Sequence, residues 1–150
     1  KLYGVVSNMS IAMERRDLLQ KFDCFICNQQ EAGMFFSDDY SEKSQEELQE
    51  ILADCLKNGN IPSMVVTMGG KGSVYANCEG LRGFCPPKNV SVKDTTGAGD
   101  SFCAGVASGL TYGKTLPEAV EIGTRLAASV ITSSENVCPR FLPAEFGLEM

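Results

Sequence analysis

The chain has 150 residues, 43% of them hydrophobic and 21% charged, with 15 glycines and 6 prolines, a balance that excludes disordered, collagen-like and low-complexity architectures and suits one domain with a genuine core. A net charge of −6 argues against an extended nucleic-acid backbone as partner, because such binders need a basic face. The absence of histidine removes Ser-His-Asp and Cys-His nucleophiles, histidine metal ligands and imidazole acid–base chemistry together, leaving proton transfer to a carboxylate, Lys, Tyr or Cys.

Short apolar runs alternate with segments of helical period, the pattern of α/β layering. Leu2–Val6 reads as a strand, Ile11–Gln20 as a weakly amphipathic helix and Phe22–Cys27 as a second, buried strand, after which Asn28-Gln29-Gln30-Glu31-Ala32 opens a short helix. Ser44-Gln45-Glu46-Glu47 has the capping-box pattern, and Leu48, Ile51, Leu52, Cys55 and Leu56 fall on one helical face until Asn58-Gly59-Asn60 stops it. Met64–Thr67 and Ser73–Ala76 flank a glycine-rich turn as a hairpin. Leu81–Cys85 returns after Glu79-Gly80, and Val90–Val92 is extended after Pro86-Pro87. Gly97-Ala98-Gly99 feeds a helix over Ser101–Leu110, in which Gly105 and Gly109 share one face and permit close packing on a neighbour. Thr115, with Glu118 at the third position, caps a last helix whose buried stripe includes Leu116, Ala119, Val120, Gly123, Leu126, Ala127, Val130 and Ile131. Ser133–Cys138 is a polar loop, Pro139 and Pro143 break up the tail, and neither an internal repeat nor a dividing linker is visible.

Seven cysteines, an odd number scattered through apolar segments, read as reduced thiols of a cytoplasmic protein. Cys24-Phe-Ile-Cys27 has the spacing of half a zinc ribbon, but it has no second pair and sits in a strand pattern. No apolar run approaches the ~20 residues of a membrane span. The chain therefore reads as soluble, with no membrane partner. It opens on Lys1-Leu2-Tyr3 within a strand pattern and without Met, as a part of a longer protein would.

The chemistry concentrates in Gly97-Ala98-Gly99-Asp100. Small residues between an extended segment and a helix leave backbone N–H groups free at the positive end of the helix dipole, a ready anion site. A tight strand-to-helix connection would need the same glycines for geometry alone. The turn is not a dinucleotide fingerprint, since Phe102 stands at the third glycine position, and no GxxxxGK[ST] loop is present. A Rossmann-type oxidoreductase would need that fingerprint near the first strand. Asp100 would repel a resting phosphate, yet it suits a base that takes a proton from a hydroxyl while neighbouring amides hold the charge on a transferring phosphoryl group. A helix N-cap is the competing role for this side chain.

Asp94-Thr95-Thr96-Gly97-Ala98-Gly99-Asp100-Ser101-Phe102 closely resembles the C-terminal signature of the ribokinase-like (PfkB) carbohydrate and nucleoside kinases, Asn28-Gln29-Gln30-Glu31-Ala32 resembles their Asn-x-x-Glu-Ala motif, and Thr67-Met68-Gly69-Gly70-Lys71-Gly72 resembles their nucleotide-binding hairpin. The three stretches keep the family's order. The resemblance covers nearly the whole chain but only the C-terminal half of a family member. It implies a three-layer α/β/α core with a mainly parallel sheet and an antiparallel hairpin, and it makes residues 1–150 the nucleotide-binding and catalytic portion of a kinase whose substrate and lid portion lies elsewhere. By the same resemblance Asp100 is the base, and the amides of Gly97, Ala98 and Gly99 hold the γ-phosphate of ATP. Asn28 and Glu31 organise Mg²⁺ and its water. Thr67, Gly69 and Gly72 lie along the nucleotide, and Asp94 and Thr96 belong to a monovalent-cation (K⁺) site.

Without the resemblance, Glu31 reads as a first-turn carboxylate at a helix dipole, and Lys71 as a solvated loop charge. Where family members carry a small residue followed by Gly-Ala near the adenine, this chain has Ser133-Ser134-Glu135-Asn136-Val137, in which Asn136 can adopt glycine's left-handed conformation. Gly-Ala-Gly-Asp, rather than Gly-Thr-Gly-Asp, leans towards the sugar and nucleoside branches. The expected partner is a small sugar or nucleoside, with a homodimer open to the full-length protein. The alternative is a nucleotide-binding fragment or regulatory module without catalysis.

Overall fold

In the computed structural model, which describes residues 1–5, 9–88, 97–132 and 143–148, the chain falls into two units, Lys1–Pro86 and Pro87–Met150. The first is built on a five-stranded sheet ordered β1 (Tyr3–Val5), β2 (Cys24–Asn28), β3 (Ser63–Thr67), β4 (Ser73–Asn77) and β5 (Arg82–Cys85). β1, β2 and β3 are parallel, while β4 is antiparallel to both its neighbours, so only β4 runs against the common direction. The expected hairpin is β3–β4, and β5 extends it into a meander. Leu2 and Phe22 fall outside the strands expected to include them, and Val6 lies outside the described residues.

The apolar run of β2 follows from burial on both faces. Phe25 and Cys27 join Met64, Val66, Val74 and Ala76 in one core, and the alternate residues Cys24, Ile26 and Val65 are buried as well. Cys24 and Cys27, an odd number of residues apart in a strand, therefore point to opposite faces and cannot share a metal. Burial pushes the Cys24 thiol up to about 11. Against the Phe25 face pack Leu19, Ala32 and Phe35 together with the Leu48, Leu52 and Leu56 stripe. Ala32 and Phe35 lie on α2 (Gln29–Phe36), and the leucine stripe on α3 (Gln45–Gly59). Ser44 caps α3 by accepting the Glu47 N–H at 3.2 Å, without the reciprocal bond that would complete the box, and Asn60 ends the helix in the left-handed conformation, φ 52°.

One expected helix is two elements. Ile11–Gln20 divides into α1 (Met9–Glu14) and a 3-10 segment (Arg16–Lys21), because Arg15 leaves helical space at φ −126°, ψ 48°. The Arg15 guanidinium donates to both carboxylate oxygens of Asp17 at 3.0 Å, a local pairing that competes with a continuous helix.

The second unit contains α4 (Ala98–Thr111) and α5 (Leu116–Ile131). Thr115 and Glu118 form both bonds of a capping box at the start of α5. Gly105 and Gly109 meet α5 as their shared face suggests: a Cβ on Gly105 would lie 2.6 Å from Cα of Gly123, and one on Gly109 2.9 Å from Cα of Ala119. Pro143 opens a short 3-10 turn, Pro143–Phe146, where the Glu145 carbonyl accepts from the Arg125 guanidinium at 2.6 Å. Val90–Val92, Ser133–Cys138 and Pro139 lie outside the described residues. Among the described residues no helix is long and apolar enough to cross a membrane.

Candidate active site

In the first unit the candidate residues gather at the carboxyl ends of β2 and β3, the end of a parallel sheet at which ligands bind. Asn28 closes β2 directly opposite Thr67 at the close of β3. Asn28 is also the N-cap of α2: its Oδ1 accepts the Glu31 N–H at 2.8 Å, and its own N–H donates to Glu31 Oε2 at 2.8 Å. Glu31 thus has a specific structural partner, sharper than the dipole interaction expected of a first-turn carboxylate. The box leaves Glu31 Oε1 and Asn28 Nδ2 without a hydrogen bond among the described residues. Beside them, Gln29 Nε2 donates to the carbonyls of Tyr40 and Lys43, holding that loop against the start of α2.

Such a donor set fits Mg²⁺ in one way only. No group of three or more His, Cys, Asp or Glu side chains that could cage a metal occurs among the described residues. One free carboxylate oxygen suits an ion that keeps its waters and takes its other oxygens from phosphates.

Past Thr67 the hairpin closes through Met68 N–H to the Gly72 carbonyl at 2.9 Å and Lys71 N–H to the Met68 carbonyl at 3.2 Å. Its two motif glycines differ. Gly69, φ 60°, faces open space, whereas Gly72, φ 106°, lies against the Cys85 carbonyl and the Phe84 ring and is demanded by packing and conformation together. Lys71 is exposed, as a solvated loop charge should be.

In the second unit, α4 begins at Ala98, three residues before the expected Ser101. Gly97 is the N-cap, left-handed at φ 82°, so Asp100 is the third residue of the helix and not its cap. No side chain caps this end among the described residues. The first intrahelical bond is Ser101 N–H to the Gly97 carbonyl, 2.9 Å, and the N–H groups of Gly97, Ala98, Gly99 and Asp100 have no intrahelical partner. Because α4 begins at Ala98, the N–H of Asp100 joins those of Gly97, Ala98 and Gly99 among the amides without an intrahelical partner, as candidate anion donors.

Gly97 is explained by its positive φ. Gly99 is not: its φ is ordinary, a Cβ there would meet nothing within 4 Å among the described residues, and it is exposed along with Asp100. Local folding has no use for glycine at position 99, whereas a group seated on the helix start would. Four aligned N–H donors with an exposed carboxylate among them can hold an anion and accept a proton next to it. Asp94, Thr96 and Asn136 lie outside the described residues.

Residues 4–139 match the family model described as pfkB family carbohydrate kinase. A guanosine-inosine kinase of Exiguobacterium acetylicum is 39% identical over 145 residues, 95% of this chain and 47% of that protein. Among solved structures, an adenosine kinase from Sinorhizobium meliloti is 25% identical and superposes with a TM-score of 0.69 over 90% of this chain and 40% of its own. A ribokinase from Cryptococcus neoformans var. grubii in complex with ADP, 21% identical, shares the fold with a TM-score of 0.74 over 89% of this chain and 46% of its own. The α/β, ribokinase-like fold class is thereby met. The chain spans about half the length of the relatives it matches.

Proposed function

The chain belongs to the pfkB family of carbohydrate kinases, and on that premise we propose that it is the C-terminal, nucleotide-side portion of an ATP-dependent kinase that phosphorylates a hydroxyl of a sugar or nucleoside. The observation that carries the chemistry is the start of α4, where the N–H groups of Gly97–Asp100 have no intrahelical partner and the Asp100 carboxylate is exposed. Asp100 takes the proton of the acceptor hydroxyl. The acceptor oxygen forms a bond to the γ-phosphorus as the bond from that phosphorus to the β-phosphate bridging oxygen breaks, and ADP leaves with the electron pair. The amides of Gly97, Ala98, Gly99 and Asp100 hold the negative charge on the transferring group. Thr67, Gly69 and Gly72 are assigned to the nucleotide, and Asn28 and Glu31 to the water shell of Mg²⁺, which when bound neutralises phosphate charge. The roles of Asp94 and Thr96 at a monovalent cation, and of Asn136 near the adenine, rest on sequence alone.

Similarity to a guanosine-inosine kinase, 39% identical over 95% of this chain, makes a purine nucleoside the first acceptor to try. The test is transfer of labelled γ-phosphate from ATP to guanosine, inosine, adenosine, ribose and fructose 1-phosphate by the full-length protein. Turnover of any of these, lost in Asp100→Asn, supports the reading. Tight ATP binding with no transfer to any acceptor would favour a non-catalytic nucleotide-binding module.

A further inference from the structure

The start of α4 is backed by the bare backbone of α5. A Cβ on Gly123 would lie 2.6 Å from the Phe102 carbonyl oxygen and 2.8 Å from Val106 Cγ2, and a Cβ on Gly105 would lie 2.6 Å from Cα of Gly123. The two backbones therefore approach each other directly where Phe102–Gly105 meets Ile122–Gly123. Gly123 sits inside α5 without a positive φ, where glycine costs roughly 1 kcal/mol of helix stability relative to Ala. Conformation does not ask for glycine there. The contact does.

From this we infer that Gly123 is a positioning residue for the phosphoryl-transfer site: it sets the depth at which the first turn of α4, with Asp100 and the Gly97–Asp100 amides, is held. The atom that a new Cβ would strike, the Phe102 carbonyl oxygen, belongs to the helix backbone two residues beyond Asp100. It cannot rotate aside as a side chain does, so relief requires α4 and α5 to part where the first turns of α4 are held. A misplacement of about 1 Å at a reacting group can cost about 10²-fold in rate. The contact of Gly109 with Ala119 lies at the other end of α4 and serves as the internal comparison, since a Cβ there also crowds the α5 backbone, at 2.9 Å, but far along the helix from Asp100.

The consequence for turnover rests on the kinase reading, while the displacement of the helix start does not, and the experiment separates the two. Gly123→Ala and Gly109→Ala are made in the full-length protein and compared by denaturant midpoint, by the amide resonances of Gly97–Asp100, and by kcat and KM for ATP. Both variants should lose stability. Only Gly123→Ala should shift those amide resonances and lower kcat, by about 10- to 100-fold, more than it raises KM. Should Gly123→Ala fail to fold, Gly123→Ala with Val106→Ala removes the 2.8 Å contact at the expense of a core cavity but leaves the Phe102 carbonyl in place, so the folded fraction, stabilised by bound nucleotide, should still show shifted amide resonances and a low kcat. Unmoved amide resonances in the folded Gly123 variants, or equal falls in kcat for Gly123→Ala and Gly109→Ala, would overturn the inference. A parent protein without kinase activity would instead overturn the kinase reading, and the amide resonances would still decide the positioning role.

Discussion

The start of α2, in the first unit, and the start of α4, in the second, differ in what they hold of their own. At α2 the polar groups satisfy one another, with Asn28 and Glu31 exchanging two hydrogen bonds of 2.8 Å. At α4 the cap is a glycine with no side chain to offer, and the four leading amides have no partner within the helix. A self-satisfied helix start explains its residues by folding alone. One without a side-chain cap among the described residues, and with a glycine at 99 that local packing does not require, is left unexplained by folding and open to a bound group. The contrast marks the start of α4, and not that of α2, as the helix end whose sequence local folding leaves unexplained.

Removing the Asp100 carboxylate should break the α4 half hardest. Asp100→Asn in the full-length protein is expected to lower kcat by about 10² to 10⁴, the range of general base catalysis, with ATP affinity retained. Steady-state kinetics alongside equilibrium nucleotide binding check this; near-parental kcat would remove the base assignment.

The glycines sharpen the comparison next. Gly72→Ala should cost on the order of 2–4 kcal/mol, because it puts a side chain both at a left-handed φ of 106° and against the Cys85 carbonyl. Gly99→Ala should leave stability unchanged or raise it by up to about 1 kcal/mol, since alanine suits a helix better and meets nothing. Urea midpoints of the two variants measure both effects.

Much of the fold was legible because its signals are local. Ser44 with Glu47 and Thr115 with Glu118 announced the helices that form, and Gly105 with Gly109 announced the close approach of α4 to a neighbour. The break at Arg15 was hidden, since a pairing with Asp17 two residues on leaves no mark in hydrophobic period. The true start of α4 is masked in the sequence by two glycines, poor helix formers, although left-handed Gly97 is what lets the helix begin at Ala98. The Asn28–Glu31 box was present in the spacing Asn-x-x-Glu, but its two bonds needed coordinates. The role of Gly123 was out of reach, because nothing in the sequence says which carbonyl it faces.

Smaller effects belong to the caps. Asn28→Ala should destabilise by ~1 kcal/mol through loss of the α2 cap, and Asn28→Asp should recover most of it by keeping the acceptor oxygen. Thermal unfolding of both variants tests this. The smallest expected effect is titration of Glu118, whose carboxyl is held below its usual value of 4.5 by hydrogen bonds from Thr115, the backbone N–H first. A carboxyl whose folded pKa is lowered stabilises the fold above its unfolded pKa and loses that contribution as pH falls through the folded value. Glu118→Gln should accordingly flatten the acid limb of a melting-temperature profile slightly, with no change at neutral pH in the shape of the curve.

The central claim, that the bare start of α4 grips the phosphates of ATP, is tested most directly by calorimetric titration of Mg-ATP into the 150-residue chain and its Gly99→Val variant. The parent chain should bind, and Gly99→Val should bind at least about tenfold more weakly, a loss of 1.4 kcal/mol or more, with an unchanged circular dichroism spectrum. Equal affinity in the two proteins would contradict the account and reduce the turn to a strand-to-helix connection.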